Sequence, residues 1–320
     1  MTADTTDTVT APEPRAGSGV RRFRSPLRPV MRALPAPLRH LARYAGVAPF
    51  LAYIAVFLLV PLIAIVIGAF QTDNGAFTWS NLNTALHGAY LEGYEQSLEV
   101  SAITSIIPGV FGLLIAYAIF TARGRAASWL RQVVITASGV FANFGGVPLA
   151  FLFIASFGSS ALVTGWLGDA GLNIYDWGFN LYTMSGISLV YMYFQIPLMV
   201  LIILPALEGI RPAWREAAQN LGAGSWQFWR FVGGPVLLPS FMSCLMLLFG
   251  SALAAYATAE ALTSGTIPLT SIQIGTFLNG NVEAGQEHVG QALSFGMVII
   301  IAVLMSFYVL FQRRSAKWLR

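Results

Sequence analysis

Long runs of apolar residues, separated by short polar loops, make up most of the chain. A helix needs about 20 consecutive, mostly apolar residues to cross a bilayer, and several runs reach that length. We therefore predict an all-α membrane protein with six transmembrane helices. The predicted spans are approximately 46–70, 96–121, 133–157, 183–207, 236–260 and 290–312.

The segment before the first span has a different character. Residues 1–45 are polar and rich in proline and arginine, which is typical of a partly disordered tail. Within it, residues 29–43 are compatible with a helix on the membrane surface, interrupted by two prolines. A cleavable signal peptide has its apolar core closer to the N terminus. We therefore expect a retained first span and one membrane domain over residues 46–320.

Composition supports the membrane class. Of the 320 residues, 56% are hydrophobic and 10% are charged, whereas soluble domains contain roughly 25% charged residues. A net charge of +4 also occurs in nucleic-acid-binding proteins, but the placement of the charges indicates a membrane topology instead. The single cysteine, Cys244, excludes an intrachain disulfide bond.

The basic residues divide the loops into two sets. All 18 lie in the N-terminal tail, between spans two and three, between spans four and five, or after span six. The opposite loops contain acidic residues instead. Because cytoplasmic loops carry the excess of lysine and arginine, we predict that both termini and the loop 208–235 are cytoplasmic. The acidic residues of the opposite side are Asp73, Glu92, Glu95, Asp169, Asp176, Glu283 and Glu287.

Enzymatic motifs are not apparent in the sequence. The one lysine, Lys317, does not follow a glycine-rich phosphate-binding loop. The histidines, His40, His87 and His288, are scattered and form no cluster with metal-ligand spacing. We predict a protein that is not itself an enzyme and that needs no cofactor or metal. A membrane protease or lipid transferase remains an alternative that no sequence feature favours.

The loop between spans four and five contains the segment REAAQNLGAGSWQFWRFVGGP, residues 215–235. Its alanine-rich start favours a helix, and Gly222 and Gly224 interrupt it. Ser225 is a candidate N-cap for a second short helix, and Pro235 stands at the entry to span five, where its missing N–H is tolerated. The pattern predicts helix, turn, helix across the end of the bundle. The alternative is an interfacial loop whose tryptophans lie at the lipid headgroups.

The spacing in this segment resembles that of a known family. Glu-Ala-Ala, three residues, Gly222, nine residues and Val-x-x-Pro235 are similar to the EAA loop of binding-protein-dependent ABC importer permeases. That pattern reads EAA, three residues, Gly, nine residues, Ile-x-Leu-Pro, so Val232 replaces the isoleucine and Gly234 the leucine. The resemblance covers roughly residues 46–320, including YFQIPLMVLIILPALEGI before the loop and QRRSAKWLR at the end.

The resemblance implies a type I importer permease fold in the cell membrane of a prokaryote. It also implies that the loop forms coupling helices docked on a cytoplasmic ATPase, with Glu216 pairing with a basic residue there and Trp229 among the aromatic anchors against the bundle. The implied partners are two ATPase subunits, a second and different permease chain, and an extracytoplasmic binding protein. The residues assigned to coupling are Glu216, Ala217, Ala218, Gly222, Trp226, Phe228 and Pro235.

Polar residues inside the spans are candidates for a substrate pathway, since such residues are costly in a bilayer and commonly functional. The stretch Gly145-Gly146-x-Pro148 should loosen span three, and Pro197 should kink span four. Alternatively, the glutamates lie at the headgroups and the tyrosines belong to an interfacial belt. The candidates are Glu99, Asn143, Tyr191, Tyr193, Gln195, Tyr256 and Glu260.

The substrate is predicted from weaker signals. The segments AYATAEALTSG and GQALSFGMVIIIAVLMSFYVLFQRRSAKWLR resemble permeases for spermidine/putrescine, ferric iron, thiamine and aminophosphonate more than sugar permeases. An acidic outer surface suits a polycation, so a polyamine or related small charged solute is favoured. A sugar permease is the alternative within the family. An ATP-independent secondary transporter or channel is the alternative from another class.

Overall fold

The computed structural model describes residues 47–122, 124–172, 174–278 and 287–316. Most of these residues lie in helices, and there is no named strand among them. The predicted tail 1–45 and the charged residues Arg123, Glu283 and Arg320 lie outside the described residues. The helices are α1 Ala48–Ala69, α2 Ser80–Ala85, α3 Ala89–Thr121, α4 Arg125–Asn143, α5 Val147–Phe157, α6 Leu162–Asp169, α7 Met184–Glu208, α8 Pro212–Asn220, α9 Ser225–Leu253, α10 Ala257–Thr263, α11 Thr270–Leu278 and α12 Glu287–Ala316.

The chain divides into two compact units, residues 1–61 and 62–320. The described part of the first unit is the N-terminal portion of α1, which includes one π-helical turn, Ala55–Leu59, and has no buried residue. The second unit holds the remainder of α1 and the helices α2 to α12.

Six helical segments are long and apolar enough to cross a membrane, as the sequence predicts. The second begins at Ala89, ahead of the predicted start at 96, because a polar turn containing Glu92 and Glu95 continues the helix. The six candidate spans are Ala48–Ala69, Ala89–Thr121, Val147–Asp169, Met184–Glu208, Ser225–Leu253 and His288–Leu310.

The prediction of one continuous third helix over 133–157 is wrong. The helix stops at Asn143 and resumes at Val147, and Gly146 adopts a positive φ of 73° that favours glycine. Its amide donates to Thr258 Oγ1 at 2.8 Å, and that hydroxyl donates to the Gly146 carbonyl at 3.3 Å. The glycine pair therefore breaks the helix, as its sequence suggested, and α10 supplies the hydrogen bonds that the broken turn lacks.

The two pieces, α4 and α5, both pack against α7. At one end Arg131 forms an ion pair with Glu208. Farther along, the Tyr193 ring lies 5.5 Å from that of Phe141 and 5.7 Å from that of Phe153. Since Arg131 precedes Phe141 and Phe153 whereas Glu208 follows Tyr193, the broken helix runs antiparallel to α7.

Helix α7 is the central element of the second unit and packs on α3, α4 and α9. It continues through Pro197 and Pro205, which a bundle tolerates where neighbours cover the freed backbone groups; the kink predicted at Pro197 stays a prediction. Its contact with α3 is close, since a Cβ added at Gly112 would lie 2.5 Å from the Met199 Cβ. Small residues at such crossings let helix backbones approach.

The fifth span also ends earlier than predicted. Helix α9 stops at Leu253 instead of 260, and the chain restarts as the separate helix α10. The Ala255 carbonyl, which a continuous helix would use internally, accepts a hydrogen bond from the Tyr191 hydroxyl at 2.7 Å. Helix α10 then packs on α5. Tyr256 and Glu260 therefore belong to this returning segment and not to span five.

Candidate functional site

The loop 208–235 lies where α3, α7 and α9 end or begin, here called the loop end of the bundle. Its first helix, α8, starts at Pro212, before the predicted start at Glu216. Proline suits the first helical position because its φ is already helical and its missing N–H would have no partner there. Arg211, in an extended conformation, is the N-cap.

The spacing from Ala218 to Gly222 is that of a helix closed by a Schellman motif. Gly222 has a φ of 80°, and its amide donates to the Gln219 carbonyl at 2.9 Å. The next amide, of Ala223, donates to the Ala218 carbonyl at 2.9 Å. These are the two bonds that define the motif, and they satisfy carbonyls left free at a helix end. The predicted bend at Gly222 is thus present, and its cause is a left-handed backbone.

The second helix of the loop differs from the prediction. Its N-cap is Gly224, not Ser225, and Gln227 Oε1 accepts the Gly224 amide at 2.8 Å. The helix does not end as a separate short piece but continues through a π-helical turn, Trp229–Gly233, into span five. Loop and span are therefore one helix, Ser225–Leu253, of 29 residues.

The glycine pair 233–234 explains the departure from the family pattern. A Cβ at Gly233 would lie 2.6 Å from the Trp229 ring, and one at Gly234 would lie 2.6 Å from the Trp229 carbonyl oxygen. The glycines thus make room for the indole and the wide π-turn. Trp229 in turn packs edge-to-face on Tyr117 of α3, with ring centroids 5.2 Å apart.

The coupling candidates divide into packed and exposed residues. Phe228 is 4% exposed and joins the core at the loop end. By contrast, Trp226, which the resemblance to the family places beside Phe228 and Trp229 as an aromatic anchor of the loop, is 75% exposed. Phe228 and Trp229 therefore make most of the packed contacts with the bundle. Leu221, at the turn, is 89% exposed. Glu216, Ala217 and Pro235 are also exposed, whereas Ala218 is half-buried.

A cleft of about 750 Å³ separates α8 from the end of α3. Arg211, Arg215 and Gln219 contribute its polar side, and Phe120 and Trp229 its apolar wall. Glu216 is the carboxylate among its described lining residues. The loop helix is therefore held by its turn and by the aromatic contacts, and it stands partly free of the bundle.

Three of the pathway candidates, Tyr191, Tyr193 and Tyr256, belong to one hydrophobic cluster. Tyr191 and Gln195 are almost fully buried, at 1% and 0% exposure. Gln195 Nε2 lies 3.4 Å from the Thr104 hydroxyl, and its Oε1 has no hydrogen-bond partner among the described residues. Both side chains connect α7 to neighbouring helices within this chain, and neither is open to a solute in this conformation.

The other candidates are more accessible. Glu99 and Asn143 are exposed, and the Asn143 amide donates to the Gly139 carbonyl of its own helix at 2.8 Å. Tyr193 is half-buried among phenylalanines. Tyr256 and Glu260 are half-buried on or next to α10, and Glu260 Oε2 is enclosed without a hydrogen-bond partner within the described chain.

A buried row of hydroxyl groups on α3 was missed at the sequence level. Ser97 accepts the Thr270 amide of α11 at 2.8 Å, and Thr104 faces Gln195 of α7. The spacing of four to eight residues along one helix face could have revealed the row, because residues so spaced share a face. Its members are Ser97, Ser101, Thr104 and Ser105.

Comparison with known proteins gives the family. Residues 108–320 match the family described as "Binding-protein-dependent transport system inner membrane component". The thiamine transport system permease protein ThiP of Escherichia coli (strain K12) is 30% identical over 188 residues, covering 56% of this chain and 31% of ThiP. The chain thus spans about a third of the length of that relative. The sulfate transport system permease protein CysT of the same organism is 27% identical over 199 residues, covering 62% of this chain and 67% of CysT.

Solved structures show the same fold. A bacterial ABC transporter involved in the import of the acidic polysaccharide alginate aligns with a TM-score of 0.69 and 20% identity, covering 86% of this chain and 96% of that one. The MetNI methionine ABC transporter aligns with a TM-score of 0.52 and 15% identity, covering 72% and 97%. With six candidate spans and the match over residues 108–320, the chain belongs to the inner-membrane permease components of binding-protein-dependent ABC importers.

Proposed function

We propose that the chain couples solute import to ATP hydrolysis on two cytoplasmic ATPase subunits through the loop 208–235. The observation that carries the proposal is the joint between α8 and α9. Helix α8 ends in the Gly222 turn, and α9 then runs without interruption from Ser225 to Leu253. Force applied to α8 therefore acts directly on a membrane-spanning helix.

The packing at the base of α9 makes this transmission rigid. Phe228 is buried in the core of the loop end, and Trp229 is clamped between Tyr117 and the glycine pair 233–234. Packed interfaces switch between discrete arrangements and do not deform smoothly. A displacement of the loop by the ATPases would therefore be passed to α3 and α9 as a rigid-body step.

The surface offered to the ATPase is the outer side of α8 and its turn. Glu216 and Ala217 are exposed, and Leu221 is the most exposed large apolar residue of the described chain. Ala217 allows the ATPase to approach closely. Leu221 is suited to an apolar pocket on the ATPase, and Glu216 is suited to a basic residue there. Gly222 sets the angle between α8 and α9.

The charge distribution supports a cytoplasmic loop and cytoplasmic termini. Arg125 and Arg131 lie near the start of α4, and Arg211, Arg215 and Arg230 lie in or beside the loop. All five are at the loop end of the second unit. The described loops at the opposite end contain no lysine or arginine, which the positive-inside rule favours for an outer surface.

The proposed substrate is a small charged solute delivered by a binding protein, with a second, different permease chain completing the pathway. Glu99 and Asn143 are the candidates exposed in this conformation, and Tyr193, Tyr256 and Glu260 are half-buried. Tyr191 and Gln195 would join the pathway only if α7 moved away from α3 and α10. Polyamines suit the acidic outer surface. Thiamine and sulfate, for which relatives of this chain are named, are the alternative substrates to test against them.

Purification of the tagged chain from its native membrane, followed by mass spectrometry, tests the assembly. An ATPase, a second permease and a binding protein should co-purify, and the binding protein should then be tested with spermidine, putrescine, thiamine and sulfate. Recovery of the chain alone would contradict the proposed assembly. Binding of sulfate or thiamine without polyamines would reject the polyamine assignment and leave the coupling role standing.

Charge reversal tests the proposed contact of Glu216. We expect Glu216→Lys to abolish ATP-dependent uptake while leaving membrane insertion intact, because a lysine would repel the basic partner. Glu92→Lys, at an exposed position of the opposite end, is the matched control and should reduce uptake far less. Wild-type uptake with Glu216→Lys would favour an ATP-independent transporter in which the loop is dispensable.

A further inference from the structure

We propose that a cleft beside the loop binds one anionic phospholipid. The cleft has a volume of about 510 Å³ and lies between α3, the end of α7 and the first turns of α9. Its apolar walls are formed by Leu113, Leu114, Tyr117, Leu237, Leu238 and Phe241.

The cleft has the polarity of a phospholipid. Arg230 and Trp226 stand at its loop end, and Leu237 lies seven residues farther along the same helix, about 10 Å deeper at 1.5 Å per residue. On α3, Leu113 and Leu114 likewise lie two turns before the helix end at Thr121. A cationic opening thus leads into an apolar interior. A phospholipid has the same sequence of groups, with a charged phosphate followed by apolar acyl chains.

The cation at the opening has no acidic partner within the described chain. No carboxylate there lies within ion-pairing distance of Arg230. The neighbouring 750 Å³ cleft, which shares Tyr117 and Trp229 with this one, contains Arg211 and Arg215 together with Glu216. Basic pockets at the ends of membrane helices attract anionic headgroups.

The location favours lipid over a soluble ligand. Both main walls belong to α3 and α9, whose lengths and apolar composition suit membrane spans, and lipid is the ligand most abundant around such helices. Leu114 and Leu238, on either side of the cleft, are 56% and 42% exposed. Trp226, mostly exposed at the opening, is the residue type enriched at headgroup level. The site is independent of the transported solute.

Native mass spectrometry of the full complex tests the site. The complex is equilibrated in nanodiscs with equal amounts of palmitoyl-oleoyl phosphatidylglycerol and the matching phosphatidylcholine. We expect one retained phosphatidylglycerol per copy of this chain. Arg230→Gln should lower its retention about fivefold, since one basic residue near an anionic surface contributes about 1 kcal/mol. Arg125→Gln, an exposed arginine outside the cleft, should leave it unchanged.

A second pair of variants tests the apolar interior. Leu114→Trp should fill the cleft and lower retention, whereas Ile115→Trp, an exposed neighbour that does not line it, should not. Free glycerol 3-phosphate should fail to displace the lipid, because it lacks the chains. Equal retention of both lipids, or no effect of Arg230→Gln, would overturn the proposal. So would a cross-link from Leu114→Cys to a second permease chain occupying the cleft.

Discussion

At the scale of single residues, glycines do most to shape the loop. Gly222 has nothing within 4 Å of the position its Cβ would take, so a substitution there meets no steric obstacle. Its backbone, however, has a φ of 80°, which side chains other than those of asparagine and aspartate rarely adopt. Glycine is therefore required for its backbone conformation, which sets the angle between α8 and α9.

This argument predicts a graded series at Gly222. Gly222→Val should destabilise the turn by about 1–2 kcal/mol and abolish ATP-dependent uptake, because the left-handed conformation is costly for a residue with a Cβ. Gly222→Asn should retain much of the uptake. Uptake in proteoliposomes, normalised to the inserted protein, measures both.

Gly139 supplies the control, since it also has free space but lies inside α4 without a positive φ. Gly139→Ala should leave uptake near the wild-type level. If Gly222→Val transports as well as Gly222→Asn, the turn conformation is not what the loop requires.

At the scale of elements, breaks in the helices are held by contacts from distant parts of the chain. The interruption at Gly146 is joined to α10 by the Thr258 hydroxyl, and the end of span five is joined to α7 by the Tyr191 hydroxyl. Each bond serves a backbone group that the broken helix cannot satisfy. Such groups are costly to leave unpaired inside a membrane protein.

Thr258→Val should therefore destabilise the broken helix. The variant is nearly isosteric but leaves the Gly146 amide without its acceptor, at a cost of about 1–3 kcal/mol. Hydrogen exchange at the Gly146 amide should accelerate. Thr276→Val, whose hydroxyl bonds only within α11, should have little effect there. Unchanged exchange in Thr258→Val would show that this bond does not hold the break.

The crossing of α3 and α7 gives a packing prediction. Gly112→Val should lower the melting temperature of the detergent-solubilised protein, because overpacking of such a site costs about 1–3 kcal/mol. A Cβ at Gly112 would lie 2.5 Å from Met199 and 2.9 Å from the Ile196 carbonyl oxygen. Gly250→Ala in α9, which has open space, is the control. Equal melting temperatures would contradict the close approach of the two helices.

Whether these features can be predicted depends on how far apart in the sequence the residues that form them lie. The apolar runs and the Glu216–Gly222 spacing are local, so the number of spans and the helix-turn-helix of the loop were predicted from sequence, whereas the third and fifth spans have other bounds than predicted. Thr258 lies 112 residues from Gly146, and the exposure of Trp226 depends on α3, α7 and α9 together. Nothing in the local pattern of either residue indicates those partners, and the continuous third helix predicted around Gly146 needed correction.

At the scale of the whole molecule, the contacts of the loop converge at one end of the bundle. Helices α3, α7 and α9 meet at the loop end, where Phe228 and Trp229 bind the loop to the bundle. The row of buried hydroxyls on α3 connects that helix to α7 and α11 farther along. In the proposed mechanism, a movement of α8 would reach the pathway candidates through helices that are already in contact.

The central claim is that the exposed turn of the loop touches an ATPase. The most direct measurement attaches a photoactivatable cross-linker to Leu221→Cys in the native membrane and identifies the captured chain by mass spectrometry. The native Cys244 is buried, and Leu162→Cys, 65% exposed at the start of α6, is the control. The account predicts that Leu221→Cys captures an ATPase subunit and Leu162→Cys does not. Capture of no ATPase from Leu221→Cys, or equal capture from both positions, would contradict it.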